Sequence, residues 1–231
     1  MNLIILADIH ANFEALKVLR PQIQEADQVL CLGDFIGYYC QVNEVLDYMR
    51  GLPGIGMLGN HDAFLLSGCP SSAPEAVRFG IEYADREIDA GHRRWLAGLP
   101  LLWGGTLDGR TALLSHGSPF RPLTDYLYPD RISEVPLRHF DFDLLAFGQT
   151  HRPLLEASRK PMLLNPGSVG QARHQAGVVC AARWDTEGMT VEQIERPYDP
   201  RPVIELAKRN GAGEWIYKHL ANTASHPPTI E

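Results

Sequence analysis

The first half of the chain predicts an α/β fold on a parallel sheet, from three observations: short apolar runs, helical patterns between them, and polar residues where each run stops. Leu3 to Leu6 is too short for a helix and apolar throughout, which suits a strand covered on both faces. It halts at Asp8 and His10. In an extended segment, side chains two apart point the same way, so this pair could grip one ion. Asn12 precedes the periodic set Phe13, Leu16 and Leu19 and reads as a helix cap. Val29 to Leu32 gives a second strand, Val42, Val45, Leu46 and Met49 a helix, and Ile55 to Leu58 a third strand. A longer helical region extends from about Pro74 to Leu96, through Val77, Ile81, Ala84 and Ile88.

The second half is richer in strands: Thr111 to Ser115, Asp143 to Phe147, Met162 to Leu164, Gly177 to Trp184 and Met189 to Glu195. The last two join around Asp185 to Gly188, as in a hairpin. From about residue 201, "VIELAKRNGAGEWIYKHLA" reads as two helices broken at Gly211, and a frayed tail is expected from about residue 222. No composition shift or linker divides the chain, so one domain over residues 1–231 is expected.

Composition narrows the class. With 45% hydrophobic and 21% charged residues the chain has the makeup of an ordinary globular protein. A formal net charge of -7 disfavours nonspecific binding to nucleic acid or to an anionic membrane. It leaves a small phosphorylated substrate open, because a metal can supply positive charge locally. Cys31, Cys40, Cys69 and Cys180 show no C-x-x-C spacing and read as reduced thiols. Met1 leads directly into the first strand and no apolar run approaches membrane-spanning length, so a cytoplasmic location without a signal peptide is expected.

Chemistry gathers where the apolar runs stop. After the first comes Asp8 with His10; after the second, "GD" with Asp34; after the third, "GNHD" with Asn60, His61 and Asp62. Later runs end in "HGS" with His116 and "GQTH" with Gln149 and His151. One such end is an ordinary turn, but several in common position describe a metal centre. Carboxylate, imidazole and amide oxygen suit hard or borderline divalent ions.

The ordered series "DIH", "GDFIG", "GNHD", "HGS", "GQTH" resembles the calcineurin-like metallophosphoesterases, closest to their small prokaryotic branch of phosphodiesterases and diadenosine tetraphosphatase-like proteins. "NPGSVGQAR", residues 165 to 173, resembles the same branch. The resemblance implies a four-layer α-β-β-α sandwich of two mixed sheets. It implies that Asp8, His10 and His151 bind one metal, Asn60 and His116 a second, with Asp34 bridging. The expected ions are manganese, iron or zinc at the first site, and manganese or magnesium at a weaker second site. A hydroxide shared by the metals would attack phosphorus, and His61 would protonate the leaving oxygen. The family usually has histidine where this chain has Gln149. Gln149 would then either complete the second site with its amide oxygen or hold a water or substrate oxygen.

Other positions stay open. Asp62 either fixes the His61 tautomer or caps the following helix. Arg173 either binds a substrate phosphate or makes a surface ion pair. Tyr38 and Tyr126 either stack on a base or pack in the core or at the rim. Asn165 to Gly170 is expected to shape a rim loop. The expected activity is hydrolysis of a phosphodiester or phosphomonoester. The alternatives are a noncatalytic scaffold, as in the retromer subunit of this fold, and a phosphoprotein or dinucleoside polyphosphate phosphatase. "GDFIGYY" lacks the arginine those phosphatases carry nearby.

Overall fold

Strand β1 (Asn2–Leu6) is buried along Leu3 to Leu6 in the structure, a computed structural model that describes residues 1–130, 132, 136 and 140–224. It pairs in parallel with β2 (Gln28–Cys31), which pairs in parallel with β3 (Gly54–Gly56). Between them lie α1 (Phe13–Val18), α2 (Arg20–Glu25) and α3 (Val42–Arg50). Then come α4 (Asn60–Ser67), α5 (Glu75–Glu87) and α6 (Ala90–Ala97). The hairpin β9 (Val178–Asp185) and β10 (Thr190–Pro197) completes the first sheet in the order β10-β9-β1-β2-β3, with β9 antiparallel to β1. The second sheet joins β4 (Leu102–Leu107), β5 (Arg110–Ser115), β6 (Leu144–Ala146), β7 (Leu154–Glu156) and β8 (Met162–Asn165) in the order β4-β5-β6-β8-β7. Its inner strands β5, β6 and β8 are parallel and its edges antiparallel. Helices α7 (Arg201–Arg209) and α8 (Glu214–Ala224) follow.

Strand alternation explains why β1 is apolar throughout. Leu3, Ile5 and Ala7 join Leu30, Leu32, Ala112, Leu114 and Leu164 in the core between the two sheets. Ile4 and Leu6 face the opposite way, into the core shared with Leu16, Val45, Ile81 and Ile204 of the helices. Each such leucine, isoleucine or valine contributes roughly 1.5–3 kcal/mol on burial. On the outer face of the second sheet, Leu113, Leu145 and Phe147 pack against Leu127, Ile132, Phe140 and Phe142.

Several boundaries differ from the expected ones for local reasons. The helical region after Pro74 breaks at Ile88 and Asp89, both in extended conformation, which separates α5 from α6. Pro21 stands in the first turn of α2, so the first helix divides near Leu19. Edge strand β4 carries Gly104 and Gly105, which hide its alternation, and β7 is only 3 residues long. Helix α8 continues to Ala224, past the point where fraying was expected; residues 225–231 lie outside the described residues. No helix among the described residues is long and apolar enough to cross a membrane.

The parallel strands of both sheets end on one side of the molecule. Asp8 and His10 follow β1, Asp34 follows β2, His116 follows β5, and Gln149 and His151 follow β6. Ligand sites form at such carboxyl ends.

Candidate metal centre

The backbone curls at these strand ends. Asp8, His10, Asp34, Gln149 and His151 have φ of 55°, 53°, 55°, 68° and 56°, five of the nine non-glycine residues with positive φ among those described. The expected extended geometry at Asp8 and His10 is therefore corrected: left-handed turns, not strand alternation, bring the pair together. Each costs about 1 kcal/mol or more and persists only where the surroundings determine it. Here they do: the N–H groups of Ile9 and His10 both donate to the Asp34 carbonyl, at 2.8 and 3.0 Å, and the Gln149 N–H donates to the Asp8 carboxylate at 3.1 Å.

The imidazoles share one arrangement. Nδ1 of His10, His116 and His151 faces the backbone carbonyl of Ile36, Leu32 and Gln171, at 3.3, 2.8 and 2.9 Å. A carbonyl only accepts, so each Nδ1 carries the hydrogen, and in the neutral ring the Nε2 lone pair then turns inward, the tautomer that metal ligands take. Nε2 of His10 and of His151 meet at 3.0 Å. Two inward lone pairs at that distance repel unless a cation or proton lies between them. Asp8, His10, Asp34 and His151 each offer a ligand atom, all within 4.8 Å of one another, and all four residues are buried. These residues fit a divalent ion in both chemistry and charge.

A second group adjoins the first through Asp34. Its Oδ2 lies 3.4 Å from His116 Nε2, 3.7 Å from His10 Nε2 and 3.9 Å from His61 Nε2. His116 Nε2 is also 2.9 Å from Asn60 Oδ1. Burial pushes the Asp8 carboxyl up to about 8, with Asp34 adding to the rise and His116 opposing it. Against burial, His116, His61 and His10 hold Asp34 well below the usual carboxylate range, while Asp34 and Asp8 lift His116 to about 9. Burial takes His151 down to about 3, and lowers His10 and His61. Opposed pKa values in one cleft mark a functional site.

Two contacts left open by the sequence take a definite form here. Asp62 does not touch the ring of His61. Its carboxylate accepts the N–H groups of Asp34, Ile36 and Gly59 at 2.9, 3.2 and 3.0 Å, capping α4 and fastening it to the Asp34 turn. His61 Nδ1 is buried without a hydrogen-bond partner. It lies against Gly37, where a Cβ would be driven into it. Gln149 turns its amide nitrogen, not its oxygen, toward Asn60 Oδ1 at 3.4 Å. The Leu123 carbonyl, 3.0 Å from the same nitrogen, fixes that orientation because it can only accept. In this orientation the amide –NH2, which carries no lone pair for a metal, faces Asn60, while Gln149 Oε1 is buried without a hydrogen-bond partner.

The stretch Asn165 to Gly170 is buried behind the centre instead of lying at the rim. Ser168 Oγ donates to the Asp8 carbonyl at 2.7 Å, and Asn165 Nδ2 to that of Gly148 at 2.8 Å. A Cβ on Gly170 would be driven into the Ile9 carbonyl. Gly170→Ala should therefore destabilise the fold by about 1–3 kcal/mol, measured by denaturant unfolding. Asn12 caps α1, accepting from the Ala15 N–H at 3.0 Å. Tyr38, left open by the sequence, wedges its ring against His10 and His61 at centroid distances of 4.7 and 4.9 Å. Arg173 donates to the Tyr38 hydroxyl at 3.3 Å and lines the cavity over the centre.

The sequence profile of the calcineurin-like phosphoesterase superfamily domain matches residues 1–188. The chain belongs to that superfamily and is a phosphoesterase; metal-dependent phosphoester hydrolysis is the activity of this class. A metallophosphoesterase from Sphaerobacter thermophilus superposes with a TM-score of 0.84 at 27% identity, covering 96% of this chain and 98% of its own. A hypothetical protein from Pyrococcus horikoshii shares the fold, with a TM-score of 0.82, 21% identity, and coverage of 95% and 97%. An uncharacterized protein of Methanocaldococcus jannaschii is 28% identical over 238 residues, covering 94% of this chain and 96% of that one.

Proposed function

We propose that the protein hydrolyses phosphodiester or phosphomonoester bonds of a small phosphorylated molecule at a two-ion centre. The observation that carries this reading is the inward-facing His10–His151 pair, 3.0 Å apart beside two buried carboxylates. Asp8, His10 and His151 would hold one ion, Asn60 and His116 a second, and Asp34 would be shared. Bound ions of this kind neutralise phosphoryl oxygens and lower the pKa of water towards roughly 7.

The chain's own residues do the rest. The Ile36, Leu32 and Gln171 carbonyls hold three rings in the ligating tautomer. Asp62 locks Asp34 to the helix that presents Asn60 and His61. His61 lines the cavity and faces Asp34, so it can pass a proton to a leaving oxygen. Burial lowers its pKa, the Asp34 charge opposes that, and His116 and Arg173 add to the lowering.

Metal-stripped protein should be inactive on bis-p-nitrophenyl phosphate and p-nitrophenyl phosphate, and Mn2+ should restore hydrolysis. If metal-loaded protein cleaves neither these nor cyclic nucleotides, the noncatalytic-scaffold reading replaces this one. Calorimetric titration should show two unequal binding steps, because the second ion has only His116 as an imidazole ligand. Gln149→His should tighten the weaker step by about tenfold or more and raise its preference for zinc, since an imidazole replaces an amide that turns its –NH2 to Asn60. An unchanged weaker step would show that position 149 does not face the second ion.

A further inference from the structure

The cavity over the centre has a volume of about 820 Å³. Ligands of drug or nucleotide size occupy sites of about 300–1,000 Å³, so this one has room well beyond a phosphoryl group. Tyr126 and Tyr128 line it together with Asn60 and His61. Large aromatic side chains are normally covered, yet these two are 40% and 37% exposed. Their rings lie nearly parallel, at 9° with centroids 6.0 Å apart. Leu127 between them is only 2% exposed and packs with Phe147 on the outer face of the second sheet. The alternation anchors the middle residue in the core and leaves both flanking rings to the cavity.

The segment that carries them is preorganised. Gly117 N–H donates to the Pro122 carbonyl at 2.7 Å and Ser118 N–H to the Asp125 carbonyl at 2.9 Å, which closes the turn after His116. The Gln149 amide, donating to Leu123, pins this turn beside Asn60. A flat aromatic surface held in place before binding loses little freedom when a planar ring stacks on it.

We propose that Tyr126 and Tyr128 form a stacking platform that selects phosphoesters carrying a planar heteroaromatic ring of nucleobase type. This rests on the reading of the centre as a phosphoester site, and deepens it by naming what accompanies the phosphate. Gln149 acts as the positioning residue of the platform, which gives its side-chain amide a use other than ligation.

The test is calorimetric titration of the Mn2+-loaded protein with adenosine 5′-monophosphate and with ribose 5-phosphate, which share phosphate and sugar and differ by the base alone. The expected result is adenosine 5′-monophosphate binding about 5- to 150-fold tighter. The double variant Tyr126→Ala, Tyr128→Ala should bring that ratio near one while ribose 5-phosphate affinity holds, and Tyr126→Phe, Tyr128→Phe should keep the ratio. A ratio of one in the wild type, or an undiminished ratio in the alanine variant, overturns the platform. Binding of neither compound overturns the platform and the phosphoester site together. Discrimination between the two without hydrolysis of any ester overturns only the catalytic reading.

Discussion

Asp34→Asn should abolish hydrolysis, by roughly 10³-fold or more, and eliminate tight binding of the metal pair in the same protein. The geometry explains why the two losses go together and why the fold survives. Asp34 Oδ1 accepts the His61 N–H at 2.8 Å, a bond that an asparagine oxygen can also make. Oδ2 is the atom that His10, His116 and His61 all approach, and in the variant an amide nitrogen stands there, unable to ligate. Circular dichroism should be unchanged and calorimetry should lose its tight binding steps. Hydrolysis near the wild-type rate by Asp34→Asn would defeat the shared-carboxylate centre.

His61→Gln is expected to separate substrates by their leaving groups. A poor alkoxide leaving group needs a proton as the bond breaks, and general acid catalysis is typically worth about 10²- to 10⁴-fold. A p-nitrophenolate leaves without that help. Alkyl esters should therefore slow by about 10²-fold or more, and p-nitrophenyl esters by less than about tenfold, with both metal-binding steps retained. The metal steps survive because Asp34, and Gly59 beside Asn60, are held in place by backbone contacts to Asp62 and, for Asp34, to the His61 N–H, which the substitution leaves in place. Equal losses on both ester types would assign His61 to substrate binding.

Part of the site was visible in the chain because each group ends an apolar run. Asp8, His10, Asp34, Asn60, His116 and His151 all stand at strand ends, and the structure gathers them. Asp62 was not decided there, because beside the local cap to Gly59 the N–H groups it accepts belong to residues 26 to 28 positions earlier. Gln149 was left open for a similar reason: the carbonyl that orients its amide lies 26 residues away. Nothing local announced the positive φ of Asp8 and His10 either, since the Asp34 carbonyl that holds their turn comes from a neighbouring strand end. Tyr126 and Tyr128 look like any aromatic pair until Leu127 is seen in the core.

The sequence by itself determined the alternation of strand and helix, the two-sided burial of β1, and which side chains could meet a metal, because apolar runs and the polar residues that end them are local patterns with local causes. Tertiary structure alone decided which nitrogen of each imidazole faces inward, which end of the Gln149 amide meets Asn60, and that Asp62 serves the backbone and not His61. Those outcomes rest on hydrogen-bond partners far apart in the chain, and a donor's direction is settled only when its acceptor has been brought within about 3 Å.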